Sequence, residues 1–180
     1  MAITKIQSES LNLSDNYDFT GTVTGAGGTN TPAFEAYRTT TQTLAGNNTW
    51  TKIQFDTENF DSDSMFDNST NYRFTPTTAG KYFVYAQCKL EASGVNTNGR
   101  SQSAIYFNGS ILGESIIDAR DTGSNGGSIF TCTISKIISF NGSSDYVEIY
   151  AKCFDNTGTT PKINTDNNGD NVFGAFKIIE

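Results

Sequence analysis

The chain has 180 residues, enough for one domain with a sizeable core and a short appendage. Its net charge is −7 and lysine and arginine do not cluster, which excludes the electrostatic footprint of a nucleic-acid-binding protein. It has no histidine, which removes Ser-His-Asp and Cys-His catalysis and most zinc chemistry.

The composition is typical of an all-β protein with many turns. Thirteen phenylalanines and eight tyrosines accompany abundant threonine, glycine and asparagine, and these residues favour strands and turns. A disordered chain would lack the aromatic residues. No apolar run approaches the roughly 20 residues that cross a membrane, and the N-terminus has no hydrophobic signal core. We therefore expect a protein that is made in a host cytoplasm and does not insert into a membrane.

The three cysteines, Cys88, Cys132 and Cys153, lie inside strand-like runs. They lack the paired CxxC spacing of metal sites, and their odd number argues against a disulfide framework. We predict that they are buried free thiols, which agrees with folding in a cytoplasm.

Residues 1–28 differ from the rest of the chain because their apolar residues are widely spaced. A Gly-rich stretch leads from them to Pro32, so residues 29–32 are predicted to be a hinge. A segment this short cannot bury its own apolar faces, which predicts an extended arm that anchors the protein to a partner or takes part in assembly. A strand of the main domain is the alternative. The anchor candidates are Ile3, Ile6, Leu11, Leu13, Tyr17, Phe19 and Val23.

A regular pattern begins after Pro32 and predicts a head domain over residues 33–180. Strands are predicted from period-2 alternation, and turns from glycine, asparagine and proline. The predicted strands are residues 33–38 with an extension to 43, 50–55, 71–76, 81–90, 100–107, 110–118, 128–140, 145–153 and 171–179. The longer loops are predicted at residues 56–67, 120–127 and 156–170.

Two details of this pattern are specific. In the strand at 81–90, Tyr82 and Val84 share one face while Tyr85 lies on the other. Asn108 and Gly109 between apolar runs form a strong hairpin signal, because both turn residues need positive φ. About eight to ten antiparallel strands at this spacing predict an all-β jelly-roll sandwich.

Short motifs follow one another in a characteristic order along the head domain. FTP at residues 74–76 and GKYF at 80–83 are similar to an F-x-P…G-x-Y-x-F passage. DYV at 145–147 is similar to a G-D-x-V strand entry, and VFGAF at 172–176 to a closing F-x-G-F strand, with its glycine one place early. Together they resemble, over residues 32–180, the jelly-roll domain of the complement C1q globular head and the tumour necrosis factor superfamily.

The resemblance implies a compact homotrimer, in which aromatic faces of three protomers pack around a three-fold axis and loops at the far end bind partners. The surplus of aromatic residues fits a second buried surface beyond the protomer's own core. For any one of them, a place in that core is the alternative. The trimer-interface candidates are Tyr72, Tyr85, Tyr106, Tyr146, Tyr150, Phe173 and Phe176.

Residues 1–28 carry a second resemblance, through TKIQSESLNL at residues 4–13 and FTGTVTGAGG at 19–28. They are similar to the N-termini of structural proteins of tailed bacteriophages, especially marine ones, that join a short virion-binding segment to a globular head. The resemblance implies a non-enzymatic short fibre, spike or decoration protein on a virion, docked through residues 1–28 to a capsid or tail protein. Its head would hold a host-surface glycan or protein.

Two acidic segments are the candidates for binding a cation. DNNGD at residues 166–170 has the oxygen-rich character of a calcium loop, with Asp166 and Asp170 as candidate ligands, but it lacks the EF-hand spacing and the closing glutamate. The acidic run within 56–67 is similar in character. Loop carboxylates are usually solvated, so we predict no metal and no cofactor, with calcium as the alternative.

Two other functions compete with a virion structural protein. One is a secreted or surface bacterial adhesin or carbohydrate-binding module, against which the absence of a signal sequence counts. The other is a glycan-cleaving enzyme, which needs two carboxylates held at a fixed separation in a cleft. Because a small head without histidine is poorly equipped for catalysis, the chain is predicted not to be an enzyme.

Overall fold

The computed structural model describes residues 30–92, 97–119, 127–167 and 169–178. Within these ranges the chain forms thirteen strands and no helix. In chain order they are β1 (Ala33–Tyr37), β2 (Gln42–Thr43), β3 (Thr51–Lys52), β4 (Thr57–Asp61), β5 (Phe66–Asp67), β6 (Arg73–Phe74), β7 (Gly80–Glu91), β8 (Asn98–Phe107), β9 (Ser110–Asp118), β10 (Ile129–Phe140), β11 (Val147–Asp155), β12 (Lys162–Ile163) and β13 (Val172–Lys177). The described residues contain no helix that is long and apolar enough to span a bilayer.

The first sheet, sheet A, is antiparallel and centres on β7. β10 pairs with one side of β7 along its whole length. β13 and then β12 pair with the other side. β1 continues the sheet from β13, β4 continues it from β1, and β2 pairs with β12.

The second sheet, sheet B, is antiparallel and centres on β11. β8 pairs with one side of β11, and β9 lies beyond β8. β6 and β3 share the other side, and β5 pairs with β6. The predicted hairpin between β8 and β9 is confirmed, because Asn108 and Gly109 have φ of 50° and 80°. Two antiparallel sheets face to face make the predicted all-β jelly-roll sandwich.

The core between the sheets is built around Phe34, which has no exposed surface. Its ring lies 4.7 Å from that of Phe66 and 4.5 Å from that of Phe74, both of sheet B, and both pairs are stacked. The ring of Phe173, on β13 of sheet A, meets Phe34 edge-on at 4.9 Å. Aromatic rings from both sheets therefore join the two layers.

The side chains of β7 alternate between the core and the open side of sheet A, as predicted. Tyr82 and Val84 have no exposed surface and belong to the core, whereas Tyr85 points to the open side of sheet A. The three cysteines are buried free thiols, as predicted. Burial raises the pKa of Cys132 to about 11, so this thiol stays protonated and unreactive at neutral pH.

Two regions predicted as loops contain short strands. Residues 56–67 contain β4 and β5, and residues 156–170 contain β12. β4 is mostly exposed on both faces, so its sequence lacks the alternation that marks a half-buried strand. β5 and β12 have two residues each, which is too short for any periodic signal.

The first and last strands of the head are neighbours in sheet A. Ala33 pairs with Phe176 and Tyr37 pairs with Val172. Since β1 and β13 are antiparallel, the beginning of β1 and the C-terminal residues of β13 lie at the same end of the sandwich.

Candidate functional site

The open side of sheet A carries a contiguous apolar surface. It consists of Phe83 and Tyr85 of β7, Ile137 of β10, and Val172 and Phe176 of β13, and we name these five residues the apolar face. Ile137 and Phe176 both pair with Phe83 in the sheet register, so the three side chains are neighbours. Ile137 is 62% exposed and Phe176 is 37% exposed. Large apolar side chains at this exposure, side by side, mark an interaction surface.

The apolar face is nearly flat. The rings of Phe83 and Phe176 lie 5.4 Å apart, and those of Phe83 and Tyr85 lie 6.1 Å apart. A shallow, open depression of about 410 Å³ runs between Tyr85, Ser135 and Val172. An open depression of this kind does not enclose a small molecule, so the surface suits a flat protein partner better.

One carboxylate lies within this aromatic surface, and its hydrogen bonds are satisfied. The hydroxyl of Tyr85 donates to Glu35 Oε2 at 2.6 Å, and Asn59 Nδ2 donates to Glu35 Oε1 at 2.7 Å. Burial, followed by the hydrogen bond to Glu35, raises the pKa of Tyr85 well above its ordinary value. A charge that already has two donors can be covered by a partner at less cost than a bare one.

Gly174 makes this contact between Tyr85 and Glu35 possible. Gly174 of β13 pairs with Tyr85 on one side and with Glu35 on the other. The Tyr85 ring lies directly over Gly174, because a Cβ added there would come within 2.4 Å of the ring. A glycine in the closing strand therefore lets the tyrosine reach across β13 to the glutamate on β1.

The structure divides the seven predicted trimer-interface residues among several places. Tyr85 and Phe176 belong to the apolar face. Tyr106 and Tyr150 lie on sheet B, whose outer face is on the far side of the sandwich from sheet A, and Tyr146 immediately precedes β11. A single interface on the open side of sheet A therefore uses only some of the predicted residues.

The other two predicted interface residues lie outside both surfaces. Phe173 has no exposed surface and packs against Phe34 and Phe55, so its ring belongs to the protomer's own core and is not available to a partner. Tyr72 precedes β6, with a φ of 51°. The anchor candidates, Ile3 to Val23, lie outside the described residues.

A lysine lies between the two carboxylates predicted as calcium ligands. Lys89 Nζ lies 2.6 Å from Asp166 Oδ2 and 3.1 Å from Asp170 Oδ2. The hydrogen bond from Lys89 is the largest cause that lowers the pKa of Asp170. The backbone N–H groups of Asp166 and Asn167 also donate to Asp170. Calcium at this place would have to displace an ammonium group that already offsets part of the negative charge of the two carboxylates.

The carboxylates of the acidic run accept hydrogen bonds that hold the chain around them in shape. Asp61 accepts a hydrogen bond from the backbone N–H of Phe66 at 2.8 Å. Asp56 accepts from the backbone N–H and the hydroxyl of Thr39. Across the described ranges, cysteine, aspartate and glutamate side chains form no group of three or more that could hold a metal ion.

Asp67 has the most strongly bonded carboxylate of this run. Its oxygens accept hydrogen bonds from the backbone N–H groups of Ser69, Thr70 and Asn71 and from the Asn71 side-chain amide. These bonds, led by the one from Thr70, hold the pKa of Asp67 well below its usual range. Asp67 thus stabilises the turn between β5 and β6 in the way a helix cap satisfies free N–H groups.

Replacing Asp67 with alanine should lower the free energy of unfolding at pH 7 by about 1 kcal/mol. The pKa of Asp67 is lower in the folded state than in the unfolded chain. Its ionised carboxylate therefore contributes fully to the free energy of unfolding above the unfolded pKa, about 3.9, and this contribution is lost as the pH falls towards the folded pKa. Urea denaturation of the wild type and of Asp67→Ala at pH 7 and in acid measures the difference. Asp63→Ala, at an exposed carboxylate of the same loop, should change stability by less than about 0.5 kcal/mol. A difference that stays constant into acid would contradict this account.

Solved structures with low sequence identity share this arrangement of strands. The globular domain of zebrafish complement 1qA protein has a TM-score of 0.55 at 16% identity, covering 82% of this chain and 97% of its own. Eiger TNF from S. frugiperda has a TM-score of 0.60 at 10% identity, covering 81% of this chain and 91% of its own. Murine APRIL has a TM-score of 0.57 at 8% identity, covering 81% of this chain and 98% of its own. The head has the C1q and tumour necrosis factor jelly-roll fold.

At these identities the similarity concerns the C1q/TNF-like fold alone. No protein-family model matches the chain, and no curated protein matches it. The fold predicted from the motifs of residues 32–180 is confirmed. The resemblance of residues 1–28 to bacteriophage N-termini stays a prediction.

Sequence reasoning missed four residues of this surface: Glu35, Phe83, Ile137 and Val172. The alternation that placed Tyr85 opposite Tyr82 also places Phe83 on the same side as Tyr85, so a signal for Phe83 was present. The positions of Glu35 and Ile137 depend on which strands flank β7, and the pattern of a single strand does not contain that information.

Proposed function

We propose that this protein is a homotrimer that assembles through the apolar face of its C1q/TNF-like head. The observation that carries this proposal is the apolar face on the open side of sheet A, in which Ile137 and Phe176 are exposed and Phe83, Tyr85 and Val172 are partly exposed. Burying a fully exposed side chain of this size gives about 1.5–3 kcal/mol, and each of these partly buried side chains contributes a fraction of that when a partner covers it. The hydrogen bonds from Tyr85 and Asn59 prepare the Glu35 carboxylate for burial.

The function proposed for this trimer is that of a non-enzymatic structural protein of a bacteriophage virion. It would be a short fibre, spike or decoration protein with residues 1–28 docked to a capsid or tail protein. The support for this assignment is the sequence of residues 1–28. With sheet A at the three-fold axis, sheet B of every protomer faces outward and is available for attachment to a host surface. Three copies on one particle raise the avidity of weak contacts.

A non-enzymatic role is supported by how the carboxylates are used. Asp61 and Asp67 accept hydrogen bonds from nearby backbone N–H groups, Asp56 accepts hydrogen bonds from Thr39, and Asp170 is paired with Lys89. A glycan-cleaving site needs two carboxylates facing each other across a cleft, and these four side chains are committed to structural contacts instead.

The mass of the full-length protein in solution tests the assembly. Light scattering at micromolar concentration should give three times the chain mass of 19.5 kDa. A mass of one chain would overturn the trimer.

The virion assignment is tested on particles. Mass spectrometry of purified phage particles should find the wild-type chain, and deletion of residues 1–28 should remove it from them while the deleted chain still folds. Incorporation that survives the deletion would overturn the docking role. A trimer that is never found in particles would make a bacterial surface adhesin the better assignment.

A further inference from the structure

We propose that the outer face of sheet B binds a neutral oligosaccharide along a row of three aromatic side chains, Trp50, Tyr106 and Tyr150, which we name the aromatic row. The inference rests on the proposed function, since a trimer built on sheet A is what would point three copies of the row outward. It places attachment on the face of a sheet rather than on loops, and it gives the ligand a chemical class.

The sheet register brings the aromatic row together. Tyr150 on β11 pairs with Ala104 on β8 and with Lys52 on β3. Trp50 immediately precedes β3, and Tyr106 lies two residues beyond Ala104 on the same side of β8. The rings of Tyr106 and Tyr150 stack at 4.0 Å, and the Trp50 ring meets Tyr106 edge-on at 6.1 Å. The three rings therefore form one continuous apolar strip.

Polar side chains line the aromatic row on both sides. Lys152 Nζ lies 4.5 Å from the centre of the Trp50 ring. Gln102, the register partner of Lys152, donates from Nε2 to Glu114 Oε2 at 3.0 Å. Burial is the main cause that raises the pKa of Tyr106 and of Tyr150, so both hydroxyls stay protonated at neutral pH, and the Tyr150 hydroxyl is hydrogen-bonded to Glu148. An apolar strip between hydrogen-bonding groups is the usual make-up of a small-ligand site.

The floor of this surface contains a buried acceptor that lacks a donor. Gln102 is only 4% exposed, and among the described residues nothing hydrogen-bonds to its Oε1. Ala104, next to it on the same face, is completely covered although it does not belong to the core between the sheets. Buried amide oxygens in folded proteins nearly always have a partner. A ligand hydroxyl that reached Oε1 after the side chains covering it moved aside would supply the missing donor.

A neutral sugar fits this combination of groups. One face of a pyranose ring is made of C–H bonds, which pack against the electron-rich face of an aromatic side chain, while its rim of hydroxyls both donates and accepts hydrogen bonds. One charge beside the row is paired, since Lys52 Nζ lies 2.5 Å from Glu148 Oε1. The chain as a whole carries −7 and repels acidic polymers. These charges favour a neutral ligand over a sulfated or uronic-acid glycan.

Trp50 is the only tryptophan of the chain, so its fluorescence reports directly on the aromatic row. The full-length protein is titrated with neutral hexaoses built from glucose, mannose or galactose, up to millimolar concentration, with dextran sulfate as the charged comparison. We expect at least one neutral hexaose to shift the Trp50 emission saturably. Absence of a shift with every neutral hexaose, or a shift with dextran sulfate alone, would overturn the inference.

Two variants separate binding at the row from an indirect effect. Tyr150→Ala removes one ring of the row and should weaken binding of the active hexaose by about tenfold or more. Phe60→Ala removes a 51% exposed aromatic side chain on β4 of sheet A, and it should leave the affinity unchanged. Calorimetry, which does not depend on the environment of Trp50, measures both affinities. Equal loss of affinity in the two variants would overturn the assignment to sheet B.

The mass of each sample, measured alongside, distinguishes this inference from the proposed function. If the protein is a trimer and binds no hexaose, the proposed assembly stands and the sugar site is overturned. If it is a monomer that binds a hexaose, and Tyr150→Ala loses that affinity, the proposed assembly is overturned and the sugar site stands.

Discussion

Replacing Phe34 with alanine should lower the free energy of unfolding by about 3–5 kcal/mol, the usual cost of deleting a buried aromatic ring. The Phe34 ring has no exposed surface and contacts rings from both sheets. Its removal leaves a cavity between the layers that the rigid strands cannot close. Because a domain is typically stable by only about 5–15 kcal/mol, much of the variant should be unfolded at elevated temperature. Urea denaturation at a fixed protein concentration measures the change.

The control for this prediction is Ile116→Ala, at an isoleucine that is 49% exposed on β9 of sheet B. It removes apolar atoms from a position that water already reaches and that lies away from the apolar face, so the loss of stability should be below about 1 kcal/mol. A fixed protein concentration is needed because dissociation of an oligomer contributes to apparent stability. Similar losses in both variants would show that the rings around Phe34 are not the core that joins the sheets.

Replacing Phe176 with lysine should convert the trimer into a monomer at micromolar concentration. In the isolated protomer Phe176 is 37% exposed, so a lysine there reaches water and the head still folds. In the proposed trimer the same position is covered, and an unpaired buried charge costs about 3–5 kcal/mol. That cost weakens the association by about a hundredfold or more. Light scattering should then give the mass of one chain, with the β-sheet circular dichroism unchanged.

The matched control is Ile116→Lys, which introduces the same charge at a 49% exposed isoleucine on β9 of sheet B. The Ile116→Lys protein should keep the mass of the wild type. If Phe176→Lys keeps the trimer mass while folding normally, the apolar face is not the interface. If Ile116→Lys dissociates the trimer, the interface involves sheet B.

The long strands could be predicted from the sequence because one of their faces is buried. β7 and β11 alternate between buried and partly exposed residues over most of their lengths, and the turn at Asn108 and Gly109 fixes the β8–β9 hairpin. The edge strand β4 could not be predicted, since water reaches both of its faces. The two-residue strands exist only through their partners, as when Ile163 of β12 pairs with Leu90 of β7.

The candidate surface could be predicted only in part, because residue type does not specify a face. Phe173 and Phe176 were both predicted at an interface, yet residues three apart in a strand point to opposite sides. Applying that rule would have left Phe173 in the core. The pairing of Asp166 and Asp170 with Lys89 joins segments that are far apart in sequence, so the acidic loop by itself suggested a cation site where a lysine already supplies the positive charge.

The antiparallel pairing of β1 with β13 has a practical consequence for engineering the head. Because Ala33 lies beside Phe176, a short linker could join the two ends, and the chain could be reopened at an exposed turn such as Asn108-Gly109 as a circular permutant. For the same reason, a cargo fused after β13 would be attached at the end of the sandwich where β1 begins. The opposite end of the sandwich would stay free of the cargo.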